Sequence, residues 1–314
     1  MADLALDGIK VLDLTHYIAG PYCTKLLADY GADVLKVEPP WGDPARRLGP
    51  FPGDDPHPER SGLFLLLNTN KRGITLNLKA VAGQKIARQL AQWADVVVES
   101  FPPGGMAAFG LDYATLRSLK PALVYTSISN FGQTGPYKEY LASEIVLYAM
   151  GGEMYSTGLE EREPVKLGGT VSLFQGGLIA AVATLGALFV AREQGIGQQV
   201  DISLMEALLA SQDRRMPSLV AYQYCGEVNT RVPLGAVGYP IGIYPCKDGY
   251  FEFMGGLGRF GLTAQMLGDP DWLRDPRWLT QEAQRDMDLR GEFEARFLPW
   301  CLERTKAELW EIAQ

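Results

Sequence analysis

The chain has 314 residues, of which 47% are hydrophobic and 21% charged, and a formal net charge of -8. This length and composition exclude a disulfide-stapled miniprotein and a disordered tail, and leave room for two domains with large cores. The acidic balance excludes the overall basic surface that non-specific nucleic-acid binding requires, so no nucleic-acid partner is expected.

The first 130 residues alternate strand and helix signals. Ile9–Leu14 reads as a strand, and the Gly20-Pro21 step opens a helix running to about Tyr30. Asp33–Glu38 is a second strand, and Ile74–Asn77 is extended. Val81–Trp93 carries apolar residues at helical spacing, Asp95–Ser100 is a strand, and a helix around Tyr113–Leu119 leads to a strand over Ala122–Ser127. Strand–helix–strand repetition predicts parallel βαβ units in a Rossmann-like α/β domain. Ser143–Gln223 is mostly helical, interrupted by the strand Gln199–Ile202, with Ser203 as N-cap of the next helix. Within it, Leu167–Ala191 is uncharged. Its strongly apolar part, Gly177–Ala191, is about 15 residues where a bilayer needs about 20, which predicts a core helix and no membrane partner. Gly226–Gly261, rich in Gly, Pro and aromatics, predicts a smaller α+β module. The expected domains are therefore 1–222 and 223–314. Thr305 followed by Glu308 reads as the start of a last helix.

Most catalytic signatures are missing. There is no GxxxxGK[ST], no GxGxxG after the first strand, no GxSxG and no HExxH. Cys23, Cys225, Cys246 and Cys301 have no metal-ligand spacing, and only two histidines exist, so neither a metal nor a redox cofactor is expected. The cysteine pattern and the opening residues, which lack a basic segment and an apolar run, point to the cytoplasm. His16 stands at the C-terminal end of the first strand, where open α/β sheets bind ligands, and is read either as a pocket residue or as a turn histidine. His57 lies in a polar, proline-rich loop and is expected in solvent. Arg46, Arg47, Arg60, Lys71 and Arg72 form a basic cluster, either an anion site or a solvated face. Gly255, Gly256 and Gly258 follow a strand-like Tyr250–Met254 and are read as a plain turn or as a loop that closes over a reacting group.

Several stretches together resemble the family III CoA-transferases (CaiB/BaiF type): Asp13-Leu-Thr with Ala19-Gly-Pro21, Leu27–Pro39, Gly42–Arg46, Asn68–Arg72, Gly110-Leu-Asp112, Phe131–Pro136 and Gly197–Ser203, with Asp248–Phe251 and Arg304-Thr further on. The resemblance implies a large Rossmann-like domain and a smaller one, and two subunits threaded through each other as interlocked rings. It implies coenzyme A or acyl-CoA as substrate, with His16, Tyr17, Ile18, Ala19, Leu67, Asn68, Asn70, Lys71 and Arg72 matching CoA-lining stretches and the glycines near 255 an active-site loop. It also implies an aspartate that attacks the thioester and passes through an anhydride to an enzyme–CoA thioester. Such covalent steps split one hard transfer into easier ones.

The aspartate's position falls on Leu173 in Gly168–Gly177. Ser172 and Glu144 are the weak substitutes. The histidine that related racemases use falls on Ser143, and two basic positions of the family pattern fall on Pro102 and Ala108. In heteromeric members such as benzylsuccinate CoA-transferase, one subunit keeps the aspartate and the other lacks it. The chain is thus expected to be the non-catalytic partner of an Asp-bearing paralogue, acting on a small carboxylic acid. The alternatives are an active homodimer using Ser172 or Glu144, and a catalytically dead acyl-CoA-binding or scaffolding protein. Tyr17, Tyr148 and Tyr239 would suit an aromatic acid. Family members are longer, so the chain is expected to lack the segment that returns to the large domain.

Overall fold

The computed structural model describes residues 4–159, 161–209, 215–226, 228, 231, 238–278, 280 and 282–314. Two units emerge: one formed by residues 1–157 and 164–228, the other by 158–163 and 229–314.

In the first unit the elements run β1 (Lys10–Leu14), α1 (Ala19–Asp29), β2 (Asp33–Glu38), α2 (Gly62–Leu67), β3 (Arg72–Thr75), α3 (Val81–Trp93), β4 (Val96–Glu99), α4 (Gly105–Ala108), α5 (Tyr113–Leu119), β5 (Val124–Ser129), α6 (Glu144–Met150), α7 (Val171–Gln194), β6 (Gln199–Ser203), α8 (Leu204–Leu209) and α9 (Arg215–Cys225). The strands form one six-stranded parallel sheet in the order β3-β2-β1-β4-β5-β6. The order reverses between β1 and β4, which opens a crevice at the strands' C-terminal ends.

The period-2 alternation of each strand divides the core. Val11, Val34, Val96, Val98 and Val124 face α1 and α7, while Leu12, Leu14, Val37, Val97 and Tyr125 face α3 and α5. α7 is apolar all round and is the one helix, among the described residues, long and apolar enough to cross a membrane by length and composition. It packs along α1 at a distance only glycine permits: a Cβ on Gly177 would lie 2.4 Å from the Ala19 carbonyl oxygen. On the opposite side, Leu178, Val182, Leu185 and Phe189 form an exposed stripe at helical spacing.

The second unit holds the antiparallel pair β7 (Ile241–Cys246) and β8 (Gly249–Met254) with α10 (Phe260–Met266), α11 (Met287–Leu302) and α12 (Lys306–Ile312). Its core is aromatic: Tyr239, Tyr244, Phe260, Trp278, Phe293 and Phe297. The expected capping box is present, with Thr305 and Glu308 each bonding the other's backbone N–H.

Candidate active site

The connection from β1 to α1 is held from below by a buried ionic network. Asp13, fully buried, accepts from the Thr15 N–H at 2.9 Å, the Thr24 hydroxyl at 2.6 Å and the Lys71 ammonium at 3.1 Å. Burial alone would raise its pKa, but Lys71, Lys36 and the two threonine hydroxyls hold it well below the carboxylate range. Lys36 pairs with Asp43 at 2.9 Å and donates to the Thr15 carbonyl. Asp43 in turn accepts from the Tyr17 N–H at 3.1 Å, and Ser100 accepts from the His16 N–H at 2.9 Å. Together these bonds hold Tyr17 in the left-handed region, at φ 71°, a conformation that costs a non-glycine residue about 1–3 kcal/mol. At Gly20 a Cβ would meet Thr15 Cβ at 2.3 Å, so only glycine lets α1 begin here.

Above this loop lies a cavity of about 380 Å³ at the C-terminal ends of β1, β4 and β5. Residues 16–20 form one wall, Ser100–Pro103 a second, and Ile128, Ser129 and Asn130 a third. Residues 138–144 with Leu147, Leu173 and Leu204 complete it. His16 faces this space beside the Phe101 ring, and burial lowers its imidazole pKa against the opposing pull of Asp43. Leu173, in the first turn of α7, is 5% exposed and presents a hydrocarbon wall.

Ser172 and Glu144 are joined. The Ser172 hydroxyl donates to Glu144, whose other oxygen pairs with Lys166 at 2.9 Å. Lys166 also donates to the Leu167 and Gly169 carbonyls. Glu144 reaches the cavity; Ser172, 2% exposed, is outside its lining.

The nine residues expected to line CoA separate into two groups. His16, Tyr17, Ile18 and Ala19 line the cavity; the five from Leu67 to Arg72 do not. Leu67 is fully buried in the core. Asn68 bonds the Phe64 carbonyl, and Asn70 bonds Asp29. Lys71, with its side chain 1% exposed, is committed to Asp13, Asn68 and the Pro21 carbonyl, and burial lowers its pKa to about 8. Arg72 forks onto Asp33 at 2.7 Å.

The basic cluster disperses in the same way. Arg46 forks onto Glu38 and Arg60 pairs with Asp55, while Arg47 is exposed. His57 is exposed, as expected, and its Nδ1 accepts from the Glu59 N–H.

In the second unit, Gly255 and Gly256 are buried. Their Cβ atoms would meet Thr263 Oγ1 at 2.2 Å and the Tyr239 carbonyl oxygen at 2.8 Å, and the Thr263 hydroxyl bonds the Gly255 carbonyl. Close packing accounts for these two glycines, whereas Gly258 is exposed with open space around it. Tyr148 is a core residue outside the cavity lining and Tyr239 belongs to the aromatic core of the second unit, so of the three tyrosines only Tyr17 lines the cavity.

Sequence reasoning missed Ser129 and Asn130, which line the cavity, and the buried carboxyl of Glu99, which lies outside its lining. Their signal was position: each closes, or directly follows, a strand beside the crevice. Glu99 is buried, and burial raises its pKa to about 7 against the bonds it accepts from the Phe101 N–H and Ser127.

The family model for CoA-transferase family III matches residues 6–314. The succinyl-CoA–D-citramalate CoA-transferase of Chloroflexus aurantiacus is 35% identical, over 97% of this chain and 74% of its own length. Subunit BbsE of the succinyl-CoA:(R)-benzylsuccinate CoA-transferase of Thauera aromatica is 32% identical, over 97% and 75%. Among solved structures, a CaiB/BaiF family protein from Brucella suis superposes with a TM-score of 0.86 at 32% identity, covering 99% of this chain and 82% of that one.

Proposed function

The chain belongs to CoA-transferase family III, and we propose that it is the non-catalytic subunit of a heteromeric enzyme moving CoA between an acyl-CoA, such as succinyl-CoA, and a carboxylic acid. The observation that carries this reading is Leu173: where the family resemblance puts the nucleophilic aspartate, this chain puts an isobutyl group in the cavity wall. Leucine can form neither an anhydride nor a thioester, and loss of a nucleophile costs up to about a millionfold in rate. Ser172 is a poor substitute because it is buried and its hydroxyl is engaged by Glu144.

His16, Tyr17, Ile18 and Ala19 are assigned to acyl-CoA contact. Leu67, Asn68, Asn70, Lys71 and Arg72 are assigned to the frame beneath it. The partner is an Asp-bearing paralogue in an interlocked assembly, and the exposed Leu178, Val182, Leu185 and Phe189 stripe of α7 supports a further chain surface there. That one relative is named as a subunit is consistent with this arrangement.

A second reading, an active enzyme using Glu144, is favoured by one observation: that carboxylate lines the same cavity as Leu173. Its pairing with Lys166 and Ser172 stabilises the anion and weakens it as a nucleophile. The two readings separate in an exchange assay between succinyl-CoA and labelled succinate. The chain alone should be inactive, and co-expression with the paralogue should give activity that survives Glu144→Gln. Exchange by the chain alone that is abolished by Glu144→Gln would establish the second reading instead.

A further inference from the structure

Ser129 is the last residue of β5. Its hydroxyl oxygen is buried against the cavity without a hydrogen-bond partner. Buried hydroxyls are almost always bonded, so one that lines a cavity marks where a ligand atom is received. The lining of the same cavity includes the apolar side chains of Phe101, Ile128, Leu147, Leu173 and Leu204.

The charges at the wall do not serve a second carboxylate. Glu144 is already neutralised by Lys166. Among the described lining residues the one lysine, Lys138, lies 3.7 Å from Glu139. Burial disfavours the cationic form of His16. A dicarboxylate would therefore place its remote charge among hydrocarbon groups and carboxylates, which is costly where the one lining lysine among the described residues already stands beside a carboxylate. The volume, about 380 Å³, lies within the range of small-molecule sites.

We propose that this cavity selects an apolar acyl group, aryl or branched alkyl, and that the Ser129 hydroxyl donates its hydrogen bond to that group's carbonyl or carboxyl oxygen. Ser129 is a specificity-determining residue, and Leu173, in place of a carboxylate, forms part of the apolar wall. The selected group differs from the small dicarboxylates named for several relatives, such as D-citramalate and glutarate. The inference deepens the family reading of this site and rests on it.

The test is calorimetric titration of the isolated full chain with four probes: 3-phenylpropanoate, glutarate and their CoA thioesters. Turnover is not needed, so the result is independent of which subunit is catalytic; that question is decided by the exchange assay. The phenylpropanoyl probe should bind about 10-fold or more tighter than its glutaryl counterpart. A preference seen in the free acids assigns the site to the acid, and one confined to the thioesters assigns it to the acyl-CoA.

Ser129→Ala should weaken phenylpropanoyl binding about 3- to 10-fold with the melting temperature unchanged, and Ser129→Thr should restore it. Leu173→Asn, which leaves Ser129 in place, should narrow the preference. Equal or tighter binding of the glutaryl probes would overturn the proposal, as would unaltered binding by Ser129→Ala or no binding of any probe.

Discussion

Asp13→Asn tests whether the buried network carries the site. The substitution keeps the side chain's shape and removes its charge. It leaves the Lys71 ammonium, 1% exposed, without its counter-charge beside the neutral Pro21 carbonyl at 2.8 Å and Asn68 at 2.9 Å, and it turns an N–H2 group toward either a threonine hydroxyl or the ammonium that the carboxylate had accepted from. Breaking a buried pair by removing one partner costs about 3–5 kcal/mol.

The pH dependence has a defined sign. Burial already lowers the Lys71 pKa to about 8 while Asp13 opposes that fall, so without Asp13 it drops further. An amine with a folded pKa below its unfolded value of about 10.4 binds more protons when unfolded, so stability rises with pH between the two values. In the wild type this rise begins near pH 8; in Asp13→Asn it should begin lower, so the deficit is largest in mild acid and shrinks as the solution becomes alkaline. Urea denaturation followed by far-UV circular dichroism across this pH range measures both effects. A loss below about 1 kcal/mol, or a deficit that grows with pH, would refute the role given to this pair.

Three further outcomes are expected. Because Glu99 keeps its proton up to about pH 7 in the folded chain and loses it near 4.3 when unfolded, the wild type loses about 3 kcal/mol of stability between pH 4 and pH 8; Glu99→Gln removes this slope in urea titrations at the two pH values. Gly177→Ala should cost about 1–3 kcal/mol, because its Cβ would press on the Ala19 carbonyl and displace a cavity wall, whereas Gly186→Ala, with open space around it, should stabilise by up to about 1 kcal/mol in thermal melts. Phe189→Glu, at a side chain 69% exposed, should leave the circular dichroism unchanged and reduce the mass measured by light scattering of the co-expressed assembly.

The fold was largely legible because its local signals agree with its tertiary contacts. Asp33–Glu38, Val81–Trp93 and Tyr113–Leu119 begin and end where charge, periodicity and turn residues put them. The helix Gly62–Leu67 was not legible, because Leu63–Leu67 is a continuous apolar run without helical period; the cap that starts it, Ser61 accepting from the Phe64 N–H, stands out only once the helix exists.

His16 was legible as a strand-end residue beside the crevice. The basic residues were misleading because adjacent positions in extended backbone, here the first residue of β3 and the one before it, point opposite ways. Lys71 turns inward to Asp13, 58 positions away, and Arg72 outward to Asp33, 39 positions away. The Glu144–Ser172–Lys166 cluster joins segments that only the docking of α6 against α7 brings together, so no local pattern announces it.

The most direct test of the proposal that this subunit lacks the nucleophile is the intact mass of each subunit after incubation of the co-purified complex with succinyl-CoA. The present chain should keep its unmodified mass while a CoA thioester accumulates on the Asp-bearing partner, and Leu173→Asp should bring the adduct onto this chain. A CoA thioester on the wild-type chain, at Glu144 or any other carboxylate, would contradict the proposal that this subunit lacks the nucleophile.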